Sequence, residues 1–494
     1  MTAAPLAVER REEIASLSKI LVAAGYTGAA IQERLGTANE LLARPADAPA
    51  HLKRLEGDDG ALATLIRLFV LIASAAEADV DSVLAPLGTA GLERLGLVSR
   101  REAGRVVAAI RLIPHDTFVI ASDLSETKAD GEHVPGVQRP SNTLANLTVR
   151  RPVERALDVG TGNGIQALLL ARHAEHVVAT DISERALTFA AFNCALNGVE
   201  NVELRQGSFL EPVAGERFDL VVANPPYVIS PETSFVFRDS GLGRDRVSAE
   251  LVGALPGVLA DGGFASVMVS WIPSGDDMTA VPQGWLEGSG CDAWLLHTQT
   301  DDALRAAAGW NRDAPSTEEF SERMERWLEY YRVEGIEKIA YGTIVLRRRT
   351  AAHNWVRTSM LPQRLLRPAG HHLERLFWAQ DVLERTPSEA LLLQERFVVA
   401  ADVELEQRLS QESGRWTLRG AELQLDGGLG FTAGLDEYST KVVTTLDPSR
   451  PLGATLGEAA GALDVDRDEF TAAGVVLIRQ MLELGFVVPA EAKP

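Results

Sequence analysis

The sequence predicts an α/β protein built on a parallel, doubly wound sheet, and three observations predict it. Strand-like and helix-like patterns alternate from residue 155 to 225, a glycine-rich turn follows the first of these strands, and an acidic residue ends the second. Alternation of this kind implies βαβ units, whose right-handed crossovers place helices on both faces of a parallel sheet.

The elements follow in order. "RALDVG", "HVVATDI", "VELRQGS" and "FDLVVANP" read as strands, separated by the helical stretches "GIQALLLARHA" and "ERALTFAAFNCALNG". Beyond them, "LVGALPGVLADGG" precedes the strands "FASVMVSW" and "DAWLLHTQ". A long helix near residues 316 to 332 and the strand "AYGTIVLRRR" close the segment. This central domain is assigned residues 128–350. Its first part, "KADGEHVPGVQRPSNTLANLTVR", is rich in proline, glycine and small polar residues, and reads as a connector crossing the mouth of a site.

Residues 1–127 are expected to form a mostly helical domain, since apolar positions recur at three- and four-residue spacing in "IASLSKILVAAGY" and "LATLIRLFVLIASA". A helix ends at Gly96, and "RVVAAIRLIPHDTFVIASD" reads as two strands around the turn Pro114-His115-Asp116. Helices followed by a hairpin suggest a winged helix, a pattern that helical bundles share. Residues 351–494 read as an α+β accessory domain, with strands in "ERFVVAADVELEQRL" and "RWTLRGAELQLDGG". There "ELGFV" at 483–487 echoes "RLGLV" at 94–98, a hint of a second winged-helix-like unit.

Composition narrows the function classes. The chain has 494 residues, 46% apolar and 24% charged, with a formal net charge of −21. The acidic excess is concentrated in residues 156–350, where acidic residues outnumber basic ones roughly two to one. Extended nucleic-acid binding by that segment is therefore disfavoured, because neutralising phosphates takes a basic face. No apolar run reaches membrane-spanning length and the start carries charges, so a cytoplasmic protein without membrane contact is expected. Cys194 and Cys291 offer neither a disulfide framework nor zinc-ligand spacing, and the lone His115 and His133 complete no metal site.

The chemistry is written in three strand ends. In "ALDVGTGNGIQALLLA", residues 156–171, Gly160, Gly162 and Gly164 let a ligand approach the backbone at the start of a helix. Asp158 argues against a pyrophosphate there, since a carboxylate repels phosphate and attracts an ammonium group. Asp181 ends the second strand, where it can accept hydrogen bonds from vicinal ribose hydroxyls or cap the next helix, a task Ser183 can also perform. Ser208 and Phe209 end the third strand, placed to flank an adenine ring.

The fourth strand delivers "NPPY", Asn224 to Tyr227. Alone this reads as a turn. After a glycine loop and an acidic strand end it reads as a clamp for a planar amino group. The Asn224 side-chain oxygen and the Pro225 carbonyl can take two N–H bonds, the tandem prolines fix the turn, and Tyr227 can stack on the plane.

With these motifs the chain resembles the class I S-adenosylmethionine-dependent methyltransferases, over roughly residues 134 to 350. The resemblance implies a Rossmann-like, seven-stranded sheet of order 3-2-1-4-5-7-6 with strand seven antiparallel. It implies S-adenosyl-L-methionine as cofactor, its methionine part held by Asp158 and by the backbone of Gly160, Thr161, Gly162, Asn163 and Gly164. Asp181 with Ile182 would hold the ribose, and Ser208 with Phe209 the adenine. Many relatives carry an acidic residue where Ser208 stands, which weakens the expected bond to the adenine amino group.

The motif matches the [NDS]PP[YF] pattern of amino methyltransferases and looks most like the HemK-type release-factor glutamine enzymes and the ribosomal RNA guanine-N2 enzymes, which share a "methyltransferase small" core. The long carboxyl-terminal extension departs from both. By that resemblance Asn224, Pro225, Pro226 and Tyr227 are catalytic, with Asn224 also beside the cofactor. The expected acceptor is an amide or amino nitrogen on a protein, with an RNA base second and a catalytically silent cofactor-binding regulator as the competing class. The polar stretch after the motif reads either as a lid, with Arg238, Asp239 or Arg244 on the substrate, or as a solvated loop.

Overall fold

The computed structural model describes residues 6–37, 47–124, 132–232, 243–312, 314, 316–361, 367–412 and 414–490. Two compact units divide the chain, residues 1–145 with 151–359 and residues 146–150 with 360–494. Each has its own hydrophobic core.

The first unit is organised by an eight-stranded sheet. Its strands in chain order are β1 (Val153–Val159), β2 (Ala174–Asp181), β3 (Val202–Gln206), β4 (Phe218–Ala223), β5 (Leu259–Trp271), β6 (Cys291–Asp302), β7 (Lys338–Arg348) and β8 (Val356–Met360). They lie in the order β3-β2-β1-β4-β5-β7-β6-β8. Strands β1 to β5 pair in parallel, whereas β7 runs antiparallel to both β5 and β6. The order implied by the resemblance is met over seven strands. β8 adds an edge that the sequence did not announce, because its half-exposed "VRTSM" lacks an apolar run.

The central strands are buried on both faces, which is why they read as continuous apolar runs. Leu157, Val159, Val221, Ala223, Ala265 and Val267 are fully buried in one core. Gly263 marks an irregularity of register between Leu259 and Phe264 in β5. A side chain there would meet the carbonyl oxygens of Ala260 and Phe218 at 2.9 Å. Only glycine fits such an approach.

Among the N-terminal residues, helices Glu77–Val83 and Gly88–Arg94 are framed by a small antiparallel sheet. It consists of Ala75–Ala76, Arg105–Ala108 and Val98–Arg101, in that spatial order. The sequence assigned two strands to residues 105–123, and the structure has three. The hairpin beside the helices is Val98–Arg101 with Arg105–Ala108, turning through Ala103 and Gly104 at φ 57° and 65°. Ile110–His115 and Phe118–Asp123 form a separate ribbon whose turn lies at Asp116-Thr117, one step beyond the expected Pro114-His115-Asp116.

This part shares its core with the central domain. Phe189, Phe192 and Leu196 of helix Glu184–Leu196, which follows β2, are buried among Ile14, Leu17, Leu21 and Leu112. Within the described residues no single helix is long and apolar enough to cross a membrane.

In the second unit a three-stranded antiparallel sheet, Val403–Glu412, Arg415–Leu425 and Thr432–Leu435, packs with helices Gly370–Arg385, Leu452–Leu463 and Arg467–Glu483. Phe397–Val399 pairs with Val487–Pro489. The echoed "ELGFV" and "RLGLV" both mark a helix end, a left-handed glycine (Gly485 at φ 71°, Gly96 at φ 78°) and a strand start. Helix-terminal glycine of this kind is widespread.

Candidate active site

The site lies at the carboxyl ends of β1, β2 and β4, the edge where open α/β sheets take ligands. After β1 the chain enters the glycine turn with Gly160, Gly162 and Gly164 at φ 71°, 55° and 85°. The N–H groups of Gly160 and Thr161 both donate to the Thr180 carbonyl at 2.9 Å, which fastens the turn to β2. At Gly160 and Gly162 no atom stands within 4 Å of where a side chain would begin, so both leave room for a ligand. Gly164 is tight instead: a side chain there would press on Ala190 at 3.1 Å.

Asp158 lies beneath this turn, 1% exposed. One of its oxygens accepts from the Thr161 hydroxyl at 2.6 Å and from the Ala167 N–H at 3.0 Å. Burial pushes its carboxyl up to about 7 against the pull of those two bonds, and the Asp181 charge adds to the rise. Asp181 accepts from Gly162 N–H and Ser183 N–H at 2.9 Å each. Burial raises it too, opposed by bonds from the Ser183, Gly162 and Ile182 amides. The helix cap falls to Ser183, whose hydroxyl accepts from Ala186 N–H at 3.2 Å, so Asp181 is left to shape the glycine turn.

Ile182 is 57% exposed beside Asp181, an apolar side chain standing in solvent at the ligand edge. Ser208 and Phe209 follow β3 and are half-buried. Phe209 has φ 44°, a strained value for an aromatic residue, and its carbonyl accepts from the Thr180 hydroxyl at 3.1 Å.

β4 ends at Ala223 and hands Asn224 to the cleft. Gly160, Thr161, Gly162 and Asn163 line this cleft together with Asn224, Pro225 and Tyr227. Among the described residues the Asn224 carboxamide makes no hydrogen bond, so its oxygen and its amino group are both available. Pro225 is buried, and its carbonyl already accepts from Tyr227 N–H at 2.8 Å, leaving one lone pair for another donor. Pro226, half-buried, completes the turn without lining the cleft. Tyr227 is kept a neutral phenol by burial, and its carbonyl accepts from the Ser270 hydroxyl.

The turn is anchored from behind. Val228 and Ile229 are buried with Trp327 and Tyr331 of helix Thr317–Glu334, and the Tyr331 hydroxyl donates to the Ile229 carbonyl at 2.9 Å.

Two parts of the wall escaped the sequence reading in detail. Trp310 lines the cleft with its indole N–H donating to the Tyr341 hydroxyl at 3.1 Å, and nothing in the local sequence singles it out. The connector does reach the mouth, through Pro135, Gly136 and Gln138, and the Asn163 amide holds it by donating to the Pro135 carbonyl at 2.8 Å. Arg244 is turned to helix Thr317–Glu334, donating to the Glu334 carbonyl at 2.7 Å. Arg238 and Asp239 lie outside the described residues.

Residues 137–238, which include the glycine turn and Asn224 to Tyr227, match the family model described as the methyltransferase small domain. This is a class I, S-adenosylmethionine-dependent methyltransferase domain. Residues 23–109 and 371–489 match two further models, each described as a domain of unknown function (DUF7059 and DUF7782). The release factor glutamine methyltransferase of Xylella fastidiosa is 35% identical over 132 residues, 24% of this chain and 47% of that protein. A ribosomal protein uL3 glutamine methyltransferase of Xanthomonas campestris is 42% identical over 85 residues, 17% and 28% of the two chains. For a ribosomal protein L11 methyltransferase of Lactobacillus johnsonii the values are 46% over 69 residues, 14% and 22%. The chain thus spans about half the length, or less, of these curated relatives.

The methyltransferase small domain holds a donor set suited to the cofactor. Open backbone at Gly160 and Gly162 and the half-buried carboxylate of Asp181 suit a ligand with an amino-acid part and a ribose. Asp181→Ala is expected to weaken S-adenosylmethionine binding about tenfold or more, since bonds to a charged acceptor are the stronger kind. Calorimetry returning wild-type affinity would reject the ribose contact expected of Asp181.

Proposed function

We propose that this protein is an N-methyltransferase acting on an amide or amino nitrogen, in the first place a glutamine-type side chain of a protein. The observation that carries the reading is the uncommitted Asn224 carboxamide, held at the end of β4 in one cleft with the glycine turn. When bound, S-adenosylmethionine supplies an electrophilic methyl group. The nitrogen of a carboxamide is a poor nucleophile because its lone pair is delocalised, so the chain must orient it. The Asn224 oxygen accepts one N–H and the free lone pair of the Pro225 carbonyl accepts the other, which directs the nitrogen lone pair out of the plane. Tyr227 packs against the planar group. The nitrogen would gain the methyl group as the S–CH3 bond breaks with its electron pair kept by the sulfur, leaving a neutral thioether, and would then shed a proton to solvent, so no general base is needed beforehand.

Three supports favour a protein over an RNA acceptor. Two of the similar proteins are named glutamine methyltransferases. The acidic balance of the catalytic segment opposes phosphate binding. In the N-terminal helix-helix-hairpin arrangement, which we propose as a winged-helix-like module for partner selection, two of the arginines are locally neutralised: Arg100 pairs with Glu77 and Glu93, and Arg94 with Glu13. We carry residues 351–494 as an accessory module of the same kind. Labelled S-adenosylmethionine incubated with separated cell protein and RNA is expected to label protein. Label confined to RNA would sink this reading, and label in neither would favour a silent cofactor-binding regulator.

A further inference from the structure

Helix Glu184–Leu196 carries a fully buried asparagine, Asn193, that the chemistry above does not use. Its oxygen accepts from Ala121 N–H at 2.7 Å, and its amide nitrogen donates to the Ala121 carbonyl at 3.0 Å. That amide nitrogen also donates to the Asn163 carbonyl, in the glycine turn, at 2.8 Å. One turn later Asn197 repeats the first half of the pattern, bonding Val119 N–H and the Val119 carbonyl at 2.8 and 2.9 Å, and makes no bond to the glycine turn. Two asparagines therefore act as a short surrogate strand for the edge of Phe118–Asp123, and only one of them continues into the ligand loop.

Nearby bonds extend the same connection. The Asn163 side chain accepts from Ile165 N–H at 3.1 Å and grips Pro135, while Asp123 accepts from Val134 N–H at 2.9 Å and pairs with Arg185 at 3.0 Å. The last N-terminal strand and the glycine turn are thus tied through the Asn193 amide, and the connector joins them through the side chains of Asn163 and Asp123.

We propose that Asn193 is a positioning residue of the cofactor site: it fixes the Asn163 peptide, and through it transmits the docking of the N-terminal strand to the loop that holds the cofactor. The proposal rests on the cofactor reading of the glycine turn. It has a physical basis in the cost of an unpaired buried carbonyl, which a loop avoids by moving.

The test compares Asn193→Ala with Asn197→Ala in the full chain. Both variants lose a staple to Phe118–Asp123, so both are expected to melt at a lower temperature. Only Asn193→Ala is expected to weaken S-adenosylmethionine binding, by about tenfold or more by calorimetry, and to speed hydrogen exchange at Gly162 to Ile165. Asn197→Ala is expected to stay within about twofold of wild type in both readouts. If Asn193→Ala does not fold, Asn193→Asp takes its place, since it keeps the acceptor for Ala121 N–H while losing the amide donor to the Asn163 and Ala121 carbonyls. Equal losses in the two variants, or wild-type affinity and exchange in the Asn193 variant, would overturn the proposal. Failure of the wild-type chain to bind S-adenosylmethionine would reject the cofactor reading instead, and exchange at the loop would still test the positioning role.

Discussion

Asn224→Ala is expected to lower methyl transfer by about two to three orders of magnitude, the size of effect that follows loss of one well-placed polar group from a reacting centre. Affinity for S-adenosylmethionine is expected to stay within about twofold of wild type, because the Asn224 side chain holds nothing else in place and the glycine turn is fastened independently through Thr180, Asp181 and Asn163. Acceptor KM is expected to rise less than kcat falls, since the bonds to Asn224 do their main work in orienting the nitrogen lone pair. Asn224→Asp retains an acceptor oxygen at the same place and is expected to keep a larger share of the rate. Single-turnover transfer with saturating cofactor and acceptor measures the step directly. Wild-type turnover in Asn224→Ala would eliminate the clamp.

The proposed clamp draws unequally on its two acceptors. Asn224 and Pro225 are the two acceptors expected from the sequence, and the Pro225 carbonyl has one lone pair taken by Tyr227 N–H and one left. The turn that makes "NPPY" rigid uses part of the motif's own acceptor capacity, so in the proposed clamp Asn224 is expected to carry more of the orientation than its neighbour.

The same distinction separates what was legible in the sequence from what was not. β1, β2 and β4 could be read because burial on both faces leaves uninterrupted apolar runs, and the glycine turn because its φ values exclude most other residues. Asp181 was readable as a strand-end carboxylate, although its bond to Gly162 was not. The hairpin Val98–Arg101 with Arg105–Ala108 was missed because its strands are short and half-polar, while the apolar stretch after it drew the assignment. Asn193 was invisible for a different reason. It stands within the helical pattern "ERALTFAAFNCALNG", and its partners at Ala121 and Asn163 lie 72 and 30 residues away. A polar residue on a buried helix face signals only that some partner exists. Trp310 gave still less, since an aromatic residue in the last turn of an alanine-rich helix is ordinarily core.

Cofactor affinity is expected to depend on pH through Asp158. In the folded protein its carboxyl is pushed up to about 7 from an ordinary value of 3.8, chiefly by burial, with the Asp181 charge adding to it. A ligand that brings a positive charge to this pocket favours the ionised form, so binding releases a proton wherever Asp158 is protonated in the free protein. Affinity should therefore fall by up to about tenfold for each pH unit below 7 and level off above it. Stability moves the other way. The stabilisation tied to the protonated form is fully present below 3.8, declines as pH rises toward 7, and is gone above it. Asp158→Asn keeps the shape, still accepts from Thr161, and is expected to flatten both dependences. Calorimetric binding between pH 5.5 and 8.5 (roughly one and a half units to either side of 7), with thermal melts over the same range, checks the opposed slopes. Parallel slopes for wild type and Asp158→Asn would assign the titration to another group.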